Sequence, residues 1–159
     1  MGFESFLVTL QGSDCTFAEI CRGLEEMDGV TASTDVLRLP PSQYYSMADG
    51  KHVIEMEVAP CPVCISCRFA LCHPQSVDDA LVALVRKLML MFHMDVRIRD
   101  AVQPQHAIPF QLAKVEDFSL VVRGYIASRR SEWIANFGSA QLGCGCREAE
   151  QRFVLPRCI

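Results

Sequence analysis

Cys61-Pro62-Val63-Cys64 places two thiols across a turn, and Cys144-Gly145-Cys146 supplies a second close pair. Four thiolates can close a tetrahedral structural zinc site, which makes Cys61, Cys64, Cys144 and Cys146 the candidate metal ligands. The spacing departs from paired knuckles: C-x-C is not the usual second half, and Cys67 and Cys72 compete for the same role. The plainer reading takes the cysteines as small hydrophobes, as free cysteine commonly is. That reading is preferred, so no cofactor is expected, and zinc is the alternative. The run C-x2-C-x2-C also occurs in iron–sulfur proteins, but the fourth cysteine followed by proline is missing, since His73 follows Cys72. A redox C-x-x-C draws a low thiol pKa from a helix N-terminus. Here strand-like alternation follows, which argues against a dithiol oxidoreductase.

Other chemistry-bearing residues are scattered. His52 falls in a strand, His73 in a turn, His93 on a polar helix stripe and His106 in a proline-flanked loop. Cys72 and His73 are adjacent, and neighbours on a strand point to opposite faces, so they form no nucleophile–base pair there. Gln11-Gly12-Ser13 precedes a helix but lacks the further glycines and the lysine of a phosphate loop. Glu55 and Glu57 share one strand face, the pattern of a charged exterior. Arg97, Arg99, Arg123, Arg129 and Arg130 could face one edge if their strands are neighbours, but a solvated sheet face is the preferred meaning. Tyr44, Tyr45, Trp133 and Phe137 are candidate partner contacts, since aromatics and arginine dominate binding hot spots. Trp133 and Phe137 lie on an apolar helix stripe and are assigned to the core. Tyr44 and Tyr45 must point opposite ways in a strand.

The segment that must position these groups is Ser76 to His93, SVDDALVALVRKLMLMFH, which predicts one long helix. Ser76 is its N-cap, and Asp78 and Asp79 sit in the first turn, where the helix dipole favours negative charge. Asp79, Arg86 and His93 form a narrow polar stripe. Val77, Leu81, Leu84, Val85, Leu88, Met91 and Phe92 cover most of the remaining circumference, which predicts a buried helix. Arg86 and Lys87 mid-segment would each cost about 2.5–3.5 kcal/mol at a bilayer centre, so it is not expected to span a membrane.

Around that helix, Phe6 to Leu10 predicts a first strand. Thr16 and Glu19 make a capping box for a helix ending before Asp28-Gly29, with Gly23 as its weak point. A second strand is expected between Val30 and Leu39. Asp49-Gly50 marks a hairpin between QYYSM and HVIEMEV. His52, Ile54, Met56 and Val58 then share one face, and Val53, Glu55 and Glu57 the other. In ISCRFALC, Ile65, Cys67, Phe69 and Leu71 alternate with Ser66, Arg68, Ala70 and Cys72. Val96 and Ile98 predict a half-exposed strand, residues 103 to 109 a loop, Phe118 to Val122 a strand, Ser128 to Phe137 a helix, and Phe153 to Leu155 a short strand. The expected architecture is a single α+β domain over residues 1–159. Its antiparallel-rich mixed sheet has about five to seven strands, with a long buried helix and two shorter ones.

Composition narrows the function. A net charge of −4 argues against non-specific nucleic-acid binding, which relies on lysine and arginine at phosphates. The start, MGFESFLVTL, carries Glu4 and only a short apolar run, unlike a signal peptide. Phe6 replaces the Ser or Thr that myristoylation requires, and Cys158 misses the prenylation position. A cytosolic chain with reduced thiols is expected. Hydrophobic residues make up 50% and charged ones 21%, more apolar surface than a soluble monomer readily leaves open. With no nucleophile motif or phosphate loop, the reading is a non-catalytic protein-binding domain of inhibitor, immunity or self-associating type. Tyr44, Tyr45, Glu55 and Glu57 are its contact residues. A zinc-stabilised regulatory domain and an enzyme without a recognisable motif are the alternatives. Neither a nucleic-acid nor a membrane partner is expected.

Overall fold

The computed structural model describes residues 5–33, 41–48, 52–70, 76–99, 108–110 and 115–137. In chain order they form β1 (Ser5–Gln11), α1 (Phe17–Glu25), β2 (Val30–Ala32), β3 (Gln43–Ala48), β4 (Val53–Pro60) and β5 (Val63–Ala70). Then follow α2 (Ser76–Phe92), β6 (Asp95–Arg99), β7 (Ile108–Phe110) and α3 (Val115–Phe137). The strands make one sheet in the order β2-β3-β4-β5-β1-β6-β7. Every pairing is antiparallel, so the described sheet is uniform rather than mixed. The first strand lies inside, between β5 and β6, and α2 carries the chain across it.

Period-two alternation divides the sheet into two faces. Val8 and Leu10 in β1, Ile54, Met56 and Val58 in β4, and Ile65, Cys67 and Phe69 in β5 are buried, with His52 just ahead of β4. These side chains meet Ile20 and Leu24 of α1 and the buried side of α2 in one core. The intervening residues, among them Thr9, Glu57 and Ser66, are only half-buried, and Arg68 and Arg97 are exposed. Helix contacts run from α1 to β2 and β4, and from α2 to β4 and β6. The fold is α+β, with helices against one face of the sheet.

Helix α1 starts as its capping box requires. The Thr16 backbone N–H donates to the Glu19 carboxylate at 2.7 Å, and the Glu19 N–H donates back to the Thr16 hydroxyl at 3.3 Å. Gly23 is no weak point but a packing requirement. A Cβ there would sit 2.8 Å from two ring atoms of Phe92, so only glycine lets α1 approach α2 this closely. Gly29, at φ 78°, takes the left-handed turn into β2.

Helix α2 is buried along one side only. Val77, Leu81, Leu84, Val85, Leu88, Met89 and Phe92 are inside, while Arg86, Lys87, Leu90 and Met91 are open. The predicted stripe of Asp79, Arg86 and His93 is exposed. The helix ends in a Schellman-type turn, in which His93 takes φ 51° and the Met94 N–H reaches the Met89 carbonyl at 3.2 Å. Ser13, from the loop after β1, donates its hydroxyl to the Phe92 carbonyl at 2.5 Å, satisfying another terminal acceptor.

Two of these element expectations are corrected. Phe118 to Val122 is not a strand but the first part of α3, which at 23 residues is longer than the 17-residue α2. Val122, Ile126 and Arg130, four apart, face inward, and that helical spacing outweighs the short apolar run. The end of the expected loop, Ile108 and Pro109, instead joins Phe110 in β7 and pairs with β6 as an edge strand, where Pro109 needs no ladder donor. The second strand falls within its expected range, at Val30–Ala32, and residues 34–39 lie outside the described residues. The segment Phe153 to Leu155 lies outside them as well.

Candidate functional site

Two regions carry the described site residues, the tip of the β4–β5 hairpin and the outer face of the sheet around it. At its tip, Pro60 pairs with Val63, leaving Cys61-Pro62 as a two-residue turn with a cis peptide bond. Cys61 is exposed there, and Cys64 is half-buried in β5 opposite Ala59. Burial pushes the Cys64 thiol up. A hydrogen bond involving the Ala59 backbone works against this, while the Glu57 charge adds to it. Cys67, wholly buried, is pushed up to about 12. Neither thiol is tuned toward the low pKa that a redox or nucleophilic cysteine needs. Cys144 and Cys146 lie outside the described residues, so the four-thiolate zinc set is not assembled among them. No group of three metal-binding side chains occurs among the described residues either.

The second region is the sheet face turned away from the helices. Register aligns its residues into rows. Glu57 of β4 pairs with Ser66 of β5, Ser66 with Thr9 of β1, and Thr9 with Arg97 of β6. One step along, Glu55 pairs with Arg68, Arg68 with Leu7, and Leu7 with Arg99. Glu55 and Glu57 therefore lie in β4 and Arg97 in β6, with Arg68 of β5 beside Glu55 and Asp95 two residues before Arg97. The Arg68 Nε reaches the Glu55 carboxylate at 2.5 Å, and the Tyr44 hydroxyl donates to Glu57 at 3.1 Å. With the Gln11 amide turned so that its oxygen faces Arg97, it accepts two hydrogen bonds at 3.2 Å each. These pairs fix the side chains without covering them.

The tyrosines point opposite ways, as period two demands. Tyr44 stays on the outer face with Glu55 and Glu57. Tyr45 is 2% exposed and lies beneath α1, its hydroxyl at 3.3 Å from Glu25 and 3.5 Å from the Cys21 carbonyl. Burial and these acceptors push its phenol well above the ordinary value. Tyr45 is thus a core residue and leaves the contact set.

The expected arginine cluster is split between two layers. Arg97 and Arg99 belong to β6, whereas Arg123 and Arg130 belong to α3 and reach α2. Arg123 meets Asp79 in an exposed pair, and Arg130 meets Asp78 at 2.6 Å in a buried one. The buried pair was not foreseen, although Asp78 stands on the apolar side of its helix and Arg130 continues the Val122–Ile126 spacing. Arg129, Trp133 and Phe137 fall within α3, and their side chains lie outside the described set. His93 is the exposed end of α2, and His52 is buried before β4; His73 and His106 are outside the described residues.

No helix among the described residues is long and apolar enough to cross a membrane. No family model matches the chain, and no curated protein or solved structure is significantly similar to it.

Proposed function

We propose that this chain is a non-catalytic protein-binding domain whose contact surface is the outer face of its sheet. The observation that carries the reading is the one-sided placement of the helices. They contact the sheet across its buried face, while Tyr44, Glu55, Glu57, Ser66, Arg68 and Arg97 stay half-buried or exposed on the other. A flat, many-stranded surface with prearranged charges suits a protein partner, because charge complementarity steers encounter and fixes register. Tyr44, held by Glu57, supplies the aromatic contact that hot spots favour. A cytosolic setting fits the five free thiols among the described residues.

The test replaces Tyr44, Glu55 and Glu57 together by alanine. A control variant changes Arg86 and Lys87, which lie on the opposite side of the molecule. Partner capture should be lost in the triple variant and kept in the control, with both melting within a few degrees of the wild type. Unchanged capture by the triple variant would refute the assignment of this face.

A further inference from the structure

We propose that the occupant of this face is a second copy of the same chain, packed sheet against sheet about a two-fold axis parallel to the strands between β5 and β1. The proposal rests on the reading of the face as a binding surface and adds its partner. Its basis is the symmetry of the charges about the middle of the sheet.

In the order β4-β5-β1-β6, β4 with Glu57 and β6 with Arg97 are equally far from the β5–β1 boundary. Glu57 and Arg97 occupy one row, and Glu55 and Arg99 register positions in the next. Strands lie about 4.8 Å apart, so Glu57 and Arg97 are roughly 14 Å from each other within one copy, too far to pair. An axis along the strands exchanges left and right while keeping each row. It lays Glu57 over Arg97 of the other copy, and the Glu55 position over that of Arg99. Both contacts occur twice, as an isologous interface requires.

The other in-plane two-fold axis, across the strands, lays β4 over β4 and β6 over β6. Glutamate then faces glutamate and arginine faces arginine. Charge alone therefore selects one of the two arrangements. The spacing also fits: facing sheets stand about 10 Å apart, a gap that a glutamate and an arginine can bridge together. The roughly 30° between aligned sheets displaces these residues by only about 4 Å, within arginine's reach. Between β4 and β6, Ser66 of one copy falls over Thr9 of the other, and in the next row Arg68, held by Glu55, falls over the Leu7 position. A footprint of roughly 30 by 20 Å is near the scale of a standard interface, about 800 Å² per partner.

Charge reversal tests the arrangement on the full chain. Sedimentation should give the wild type twice the 17.8 kDa mass of one chain, with dissociation favoured by salt. Glu57→Arg or Arg97→Glu alone creates two like-charge contacts per dimer and should raise the dissociation constant at least about tenfold. Circular dichroism and melting establish that each variant is folded. The double variant Glu57→Arg/Arg97→Glu should recover the dimer, because the β4-over-β6 arrangement restores both pairs. With β4 over β4, the wild type and all three variants face like charges alike, so the reversals would leave association unchanged. A wild-type monomer at about 100 µM would overturn the pairing of copies, leaving the face to a different protein and the binding reading to the triple-alanine test. A dimer insensitive to either reversal, or one not recovered by the double variant, would overturn the proposed geometry.

Discussion

His93 holds the left-handed conformation that ends α2, a position glycine takes without steric cost. A non-glycine residue there costs roughly 1–2 kcal/mol, partly offset by glycine's greater entropy in the unfolded chain. His93→Gly should therefore stabilise the protein by about 0.5–1 kcal/mol in urea titration, and a loss of stability would show that the imidazole contributes more than the strain costs. Gly23→Ala should act in the opposite direction. Alanine gains about 1 kcal/mol in helix propensity, but its methyl would overlap the buried Phe92 ring, and overpacking typically costs about 1–3 kcal/mol. Trimming the ring in Gly23→Ala/Phe92→Leu should recover part of the loss, as a double-mutant cycle can read. Thiol chemistry follows burial. Iodoacetamide should modify exposed Cys61 first and wholly buried Cys67 only on unfolding, with mass spectrometry reporting the order. Protection of Cys61 that a chelator removes would instead reveal the zinc site.

At the scale of elements, α2 and α3 meet through a buried charge pair. Asp78 and Arg130 have side chains only 7% and 11% exposed, so removing one partner strands the other away from water. Arg130→Ala should cost about 3–5 kcal/mol, whereas exchanging both residues for apolar ones of similar size should cost far less. Comparable losses in the single and double variants would mean that packing, not charge, sets the penalty. Leu88→Ala, in the wholly buried side of α2, should cost about 2–5 kcal/mol. These elements were unevenly legible in the sequence. The β4 alternation of His52, Ile54, Met56 and Val58, and the α1 capping box, are short-range signals and appear as expected. Helix α3 was misread because the short apolar run Phe118 to Val122 resembled a strand, while the spacing of Val122, Ile126 and Arg130 that marks the helix extends beyond it. The outer face was half legible. Period two places Glu55 and Glu57 together, but their alignment with Ser66, Thr9 and Arg97 depends on pairings between distant segments, which no local pattern encodes.

Across the whole molecule, the core is shared unequally. Among the described side chains, the sheet's inner face, α1 and α2 contribute nearly all of those buried, and α3 contributes Val122, Ile126 and Arg130. Much of α3 faces water, with Leu120 74% exposed. Among the described residues α3 packs chiefly on α2, and an element docked on one neighbour loses few contacts when it opens, so its opening free energy should lie well below that of global unfolding. By contrast, β1 is paired on both sides, with β5 and β6, and cannot open without parting the middle of the sheet. Native-state hydrogen exchange should accordingly release the α3 amides first, while those of β1 and β5 exchange only with global unfolding. Arg130→Ala should lower α3 protection further and leave the order of the strands unchanged. Equal protection of α3 and β1 in the wild type would mean that the helix is an integral part of the core. A α3 that opens separately would leave the outer sheet face intact, because the helix and that face lie on opposite sides of the sheet.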